Sequence, residues 1–96
     1  MQSVMVSFEI KKSKLDSALV LIRDFVNNVK ENESGTLLYH SFQDDENPCK
    51  FLHVMTFADQ SAEEYHQTTD YCAIFAEELL DMCTHEPEFQ LFNMLC

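Results

Sequence analysis

The side chains able to do chemistry beyond carrying charge are few in this 96-residue chain: four His, three Tyr and four Cys. In the stretch Lys50 to Phe57, alternation sets His53, Met55 and Phe57 on one face of an expected strand, because successive strand residues point to opposite sides. The stretch Thr36 to Gln43 would form the other half of a hairpin, and its register decides what faces His53. One register sets Leu38, His40 and Phe42 on that face, with His40 opposite His53. A slip by one residue sets Tyr39 there instead, beside Phe57. The two exclude each other. Paired imidazoles could hold a divalent metal or relay a proton, but the pattern supplies no third ligand, so no metal centre is expected.

His66 stands in a helical segment, where an imidazole can transfer protons or simply be hydrated at the surface. Tyr65 and Tyr71 lie on or beside the helices that would roof a pocket. Each could orient a substrate hydroxyl, or pack as core with its own hydroxyl at the rim. Cys49, Cys72, Cys83 and Cys96 contain no C-x-x-C pair, so free thiols are expected. On one helix Cys72 and Cys83 would share a face but stand roughly 16 Å apart, too far to bridge. No basic residue near Cys72 in the sequence favours a thiolate, so nucleophilic catalysis by it is not expected.

The elements that must position these groups follow from periodicity. Val4, Val6, Phe8 and Ile10 alternate with polar or smaller residues as in a half-buried strand. Ser13 and Asp16 form a capping box, and Leu15, Ala18, Leu19, Ile22, Phe25, Val26 and Val29 recur at helical spacing, which predicts a helix over about residues 14–31. Gly35, the only glycine, falls at a reversal where a residue tolerant of positive φ is expected. Strands are predicted over 36–43 and 50–57, joined by the polar turn Asp44 to Pro48, whose acidic run is a solvated turn rather than a site. Asp59 or Ser61 can cap a short helix, and Thr68 or Thr69 a longer one carrying Tyr71, Ile74, Phe75, Leu79 and Met82. A last strand over 89–95 shows apolar groups on both faces. The order β-α-β-β-α-β over residues 1–96 predicts one ferredoxin-like α+β domain with a four-stranded antiparallel sheet. With both helices on one face, the other would need a second subunit to cover it.

Composition narrows the partners. Six basic against seventeen acidic residues give a net charge of −11, which would repel nucleic-acid phosphates and anionic lipid surfaces, so neither is an expected partner. No stretch is long and apolar enough to span a bilayer and the N-terminal residues lack a signal-peptide succession, so a cytoplasmic protein is expected.

From Glu33 to Leu79 the sequence resembles the antibiotic biosynthesis monooxygenase (ABM) family. It shows an E-x-G-x-x-x-Y strand at Glu33 to Tyr39, an acidic Asn-Pro hairpin, K-F-L-H-V-M-T-F-A-D-Q-S-A ending a strand in an aromatic residue, then His66 and T-T-D-Y-C-A-I-F. The resemblance implies a homodimeric α+β barrel whose two sheets face each other, with a pocket between each sheet and its helices. It also implies oxidation of a small aromatic, phenolic or quinol-type substrate by dioxygen without metal, flavin or other cofactor. It makes His66 the catalytic base, favours the register that faces Tyr39 toward Phe57, and suggests Tyr39, His53, Phe57, Tyr65 and Tyr71 as substrate-binding residues. Many relatives carry Glu where Met55 stands and Trp where Phe57 stands, so this chain lacks a carboxylate and an indole N–H there. The alternatives are a small-carbonyl isomerase using His66 or His53, haem degradation, and a non-catalytic dimeric binding module. Haem cleavage would need an Asn on strand one and a Trp, where Ser7, Phe8 and Phe57 stand. A cavity of about 300 Å³ or more separates a ligand-binding domain from a filled one.

Overall fold

A computed structural model describes residues 1–96. The elements run β1 (Gln2–Glu9), a 3-10 turn (Lys12–Lys14), α1 (Leu15–Asn32), β2 (Thr36–Gln43), β3 (Lys50–Phe57), α2 (Gln60–Thr68), α3 (Asp70–Met82) and β4 (Glu88–Asn93). The strands form one antiparallel sheet in the order β2-β3-β1-β4, the ferredoxin-like arrangement expected from the sequence. α1 buries Ala18, Ile22, Phe25 and Val29, one turn apart in succession, against the face of the sheet that carries Val4, Val6 and Phe8. α3 adds Phe75 and Leu79 to the same core, and Phe75 stacks on Phe25 with ring centroids 4.0 Å apart.

Three local expectations are corrected. Ser13 does not cap α1: it lies within the 3-10 turn, and no side chain caps the helix behind it. The chain enters α1 through that tighter turn, whose Lys14 amide bonds the Lys11 carbonyl. Ile74 is exposed on α3, because the buried stripe runs through Phe75 and Leu79, a quarter-turn around the helix. β4 ends at Asn93, leaving Met94 and Leu95 beyond the last pairing with β1.

Gly35 is needed for a different reason from the expected one, since no glycine has positive φ. A Cβ built on Gly35 would stand 2.5 Å from the Cβ of Ala62, so the absence of a side chain lets the start of β2 pack directly beneath α2. Asp59 caps α2 by accepting from the Ala62 amide at 2.8 Å, which fixes Ala62 at this contact.

The other face of the sheet has no helix over it. Phe42 and Leu52 are paired there, Phe92 pairs with Ser3, and all three apolar rings or chains are exposed. Leu91 and Phe89 of β4, paired with Val4 and Val6, lie on the helix side, so the last strand does carry apolar groups on both faces.

The close approach at Gly35 yields a test. Gly35→Ala is expected to lower stability by about 1–3 kcal/mol, as overpacking does. Adding Ala62→Gly should restore part of the loss in urea denaturation. No coupling between the two substitutions would place the strain elsewhere.

Candidate active site

The hairpin register puts Tyr39 opposite Met55 and Ser41 opposite His53, so Tyr39, His53, Met55 and Phe57 share the helix-facing side of the sheet. His40 pairs with Val54 on the opposite side and is exposed, which rules out the His40–His53 pair. The two registers were mutually exclusive, and the protein takes the tyrosine one. A bulge between Thr36 and Leu38 lets Thr36 still meet Phe57 at the strand end.

Tyr39 and His53 meet through their polar ends. The phenol oxygen lies 2.8 Å from His53 Nδ1, both groups being buried. Burial, with smaller contributions from Cys72 and Glu33, pushes the Tyr39 phenol far above its usual range, so it keeps its proton and donates to Nδ1. Nδ1 is then the acceptor and the neutral ring carries its hydrogen on Nε2. That Nε2, on a side chain 1% exposed, is the one buried side-chain polar atom without a partner. Burial pushes the His53 pKa down to about 4, keeping the ring neutral near neutral pH.

His66, in the last turn of α2, is also buried. Its Nδ1 lies 2.8 Å from Oε1 of Glu33, a carboxylate only 5% exposed at the end of α1. Oε1 also accepts from the Thr36 hydroxyl at 2.7 Å, and Oε2 accepts from the Tyr71 hydroxyl. An ionised carboxylate has only acceptor oxygens, so in that form Glu33 draws the hydrogen of His66 to Nδ1 and leaves Nε2 facing away from it. Nε2 stands 4.0 Å from the Cys72 sulfur.

His53, His66, Tyr39, Phe57 and Cys72 all border one cavity of about 330 Å³ between the sheet and α3. Phe25, Phe75 and Leu79 supply apolar wall, and Phe89 and Leu91 of β4 reach its outer end. The cavity exceeds the roughly 300 Å³ that a small-molecule site requires. No three His, Cys, Asp or Glu side chains converge as metal ligands would. The arrangement supplies a proton acceptor at His66 Nε2 and an N–H donor at His53 Nε2 in apolar surroundings, where such groups act strongly.

Two expected substrate-binding residues lie elsewhere. Tyr65 is 55% exposed on the solvent side of α2, since the neighbouring His66 takes the inward direction and adjacent helix residues diverge by about 100°. Tyr71 lies outside the cavity lining and reaches Glu33 from behind, where burial and that hydrogen bond raise its phenol pKa and keep it a donor. Glu33 is a site residue to which no sequence spacing assigns a role. Its signal was the E-x-G-x-x-x-Y motif, in which Glu33 and Tyr39 reach the two imidazoles.

A ferredoxin-like sheet roofed by helices over an apolar cavity places this chain among the α+β domains of that fold. The chain belongs to the antibiotic biosynthesis monooxygenase family, which it matches over residues 1–78. It is similar in structure to a protein solved under the name antibiotic biosynthesis monooxygenase, with TM-score 0.92, 22% identity and 100% of each chain covered. It is likewise similar to a Caulobacter crescentus CB15 protein provisionally given that name, with TM-score 0.92 and 18% identity over 98% of this chain and 89% of that one. A conserved protein from Methanosarcina mazei Go1 has TM-score 0.87 and 19% identity, with 95% and 89% of the chains covered. No curated protein matches the sequence. No helix is long and apolar enough to cross a membrane.

The buried neutral His53 makes stability depend on pH. Its folded pKa of about 4 lies below the ordinary imidazole value of 6.5, so between these values the unfolded chain binds more protons and stability falls as pH drops. The contribution is complete above the unfolded value and is lost as pH falls through about 4, amounting to roughly 3 kcal/mol. Urea denaturation at pH 7 and pH 4 should show His53→Gln, which keeps an acceptor for Tyr39, losing less stability than the unaltered protein. Equal losses would mean the imidazole is already charged or solvated when folded.

Proposed function

We propose that this protein is a cofactor-independent monooxygenase acting on a small phenolic or quinol-type aromatic, with His66 as the catalytic base. The observation that carries this reading is His66 itself: a buried imidazole oriented by the Glu33 carboxylate, on the wall of an apolar cavity of about 330 Å³. Family membership over residues 1–78 supports oxygenase chemistry. The cavity lies near the lower limit for ligand sites and suits a substrate of one or two fused rings.

In this reading the substrate hydroxyl gives its proton to His66 Nε2, and Glu33 stabilises the imidazolium that forms. The phenolate is electron-rich and reacts with dioxygen at a hydrogen-bearing ring carbon, para to the oxygen in a simple phenol and ortho to it in a hydroquinone. One oxygen atom becomes a new carbonyl, and the other leaves as water with the phenolic and ring hydrogens. The His53 Nε2–H donates to an oxygen on the far side of the ring, while Tyr39 holds the His53 tautomer from behind. Phe57 and Phe75 contact the ring faces. Tyr71 and Thr36 act through Glu33 as positioning residues, and Tyr65 has no part in binding.

The exposed apolar face around Phe42, Leu52 and Phe92 fits a second copy of the chain, its sheet facing this one in a homodimeric barrel. Residues 1–96 then act as one domain per subunit, with both active sites under their own helices.

In an oxygen electrode, His66→Ala is expected to lower kcat/KM for accepted hydroquinones by about 100-fold or more, the usual share of general base catalysis. Glu33→Gln should lower kcat with a smaller change in KM, because it disturbs the base and not the apolar walls. Unchanged oxygen uptake in His66→Ala would overturn the assignment. Solvent hydrogen exchange into a small ketone without oxygen uptake would favour the isomerase reading instead.

A further inference from the structure

The break between α2 and α3 brings together two side chains that the sequence keeps apart. On a continuous helix, residues 66 and 72 would be roughly 9 Å apart along the axis and about 120° apart around it. Thr69 interrupts the helix with an extended ψ of 146°, and its hydroxyl joins both ends. It donates to the His66 carbonyl at 2.9 Å and accepts from the Cys72 amide at 3.3 Å. The result is an ordered series: Cys72 Sγ lies 4.0 Å from His66 Nε2, and His66 Nδ1 lies 2.8 Å from Glu33 Oε1. A thiol, a base and an acidic group that orients the base are the three parts of a nucleophilic centre. Cys72 also sits in the first turn of α3, where the helix dipole favours a developing thiolate.

A second, independent feature of the same cavity points to what the thiol would attack. The His53 Nε2–H is buried without an acceptor, on a side chain that lines the space Cys72 also lines. A carbonyl oxygen of a flat, conjugated ligand would satisfy it, and the aromatic walls would hold the ring.

We propose that Cys72 is a nucleophile that captures quinones and related conjugated enones as covalent thioethers, with His66 as its base and His53 as the donor to the carbonyl oxygen. This rests on the reading of the cavity given above, since the oxidation of a phenol there would generate a quinone beside the thiol. The Cys72 sulfur bonds to the ring carbon conjugated with the carbonyl as its proton passes to His66 Nε2. The displaced carbon–carbon π pair moves to the carbonyl oxygen, which accepts a hydrogen bond from His53 and then takes the proton back from His66. Transfer of the hydrogen on the attacked carbon to the second oxygen completes a hydroquinone thioether. The net change is addition of S–H, with no outside oxidant or reductant. Burial and the Glu33 charge raise the Cys72 pKa, so the resting group is a thiol and reaction depends on His66 at the moment of attack.

The test is anaerobic labelling of the full chain with 1,4-benzoquinone and, separately, iodoacetamide, with each cysteine followed by peptide mass mapping. Exposed Cys96 serves as the internal reference, while Cys49 and Cys83 are buried. The rate at Cys72 relative to Cys96 should be roughly tenfold or more higher with benzoquinone than with iodoacetamide, and His66→Gln should remove that preference while leaving Cys96 unchanged. Thr69→Val, which keeps the side-chain shape and loses the hydroxyl, should reduce it in the same direction and serves if His66→Gln does not fold. A Cys72 preference that is absent in the unaltered protein, or that survives in folded His66→Gln, overturns the proposal. Because oxygen is excluded, the outcomes separate: no Cys72 adduct in a protein that consumes oxygen with quinols refutes capture alone. An adduct in a protein that consumes none refutes the oxygenase reading and leaves capture standing.

Discussion

The buried carboxylate of Glu33 is the constraint on which the arrangement of the site depends. It sits where α1 ends and β2 has not begun, and it receives hydrogen bonds from Thr36 on β2, His66 on α2 and Tyr71 on α3. A carboxylate in such surroundings is costly unless its oxygens are matched by donors, and losing one partner of a buried charged group typically costs about 3–5 kcal/mol. The three donors therefore fix each other through it. The same bonds that make the carboxylate tolerable also hold the α2–α3 break against the sheet and set the orientation of the His66 ring. Gly35 and Ala62 complete this junction, since only a residue without a Cβ lets β2 start this close beneath α2.

The sheet supplies a second polar unit built on the opposite logic. Tyr39 and His53 satisfy one another on one side, yet His53 Nε2 has nothing to bond. An orphaned buried N–H costs about 1–3 kcal/mol, and a packed core would ordinarily avoid it. Its position at the edge of a cavity changes the balance, because a ligand that accepts from it recovers that cost on binding. The site thus combines one imidazole whose partner is saturated and one whose outward atom is not. That difference fits the proposed roles, in which His66 Nε2 accepts a proton and the His53 Nε2–H donates a hydrogen bond.

The sequence showed the strands, the helix stripe of Ala18, Ile22, Phe25 and Val29, and the order of elements, because burial on one face imposes a period that can be read locally. The capping threonine was legible as one of two candidates, and Thr69 takes the role. Ser13 was misleading because a capping box is a local pattern, whereas entry into α1 is set by how Lys11 meets the end of α3, where its amide bonds the Met82 carbonyl. Glu33 was printed in a motif but could not be given a role: its three donors are separated from it by 3, 33 and 38 residues, and no period links them. Cys72 looked unpromising for the same reason, since the base beside it arrives through a helix break rather than through neighbouring sequence.

Met55 and Phe57 show how the chemistry is redistributed within the cavity. Both side chains line it, so at these positions the sheet wall carries a thioether and a phenyl ring, with neither a carboxylate nor an indole donor. Met55 lies two residues from His53 on the same face of β3, and a negative charge there would favour a protonated His53. With methionine in that place, burial acts unopposed and His53 remains neutral with a single outward N–H. The acidic function of the site is carried instead by Glu33, behind His66 and away from the ligand. The cavity lining is therefore mostly apolar, with Glu63 its one carboxylate and Glu33 placed in line behind His66. A mostly apolar lining costs a charged ligand its hydration, which fits the neutral phenol proposed as substrate.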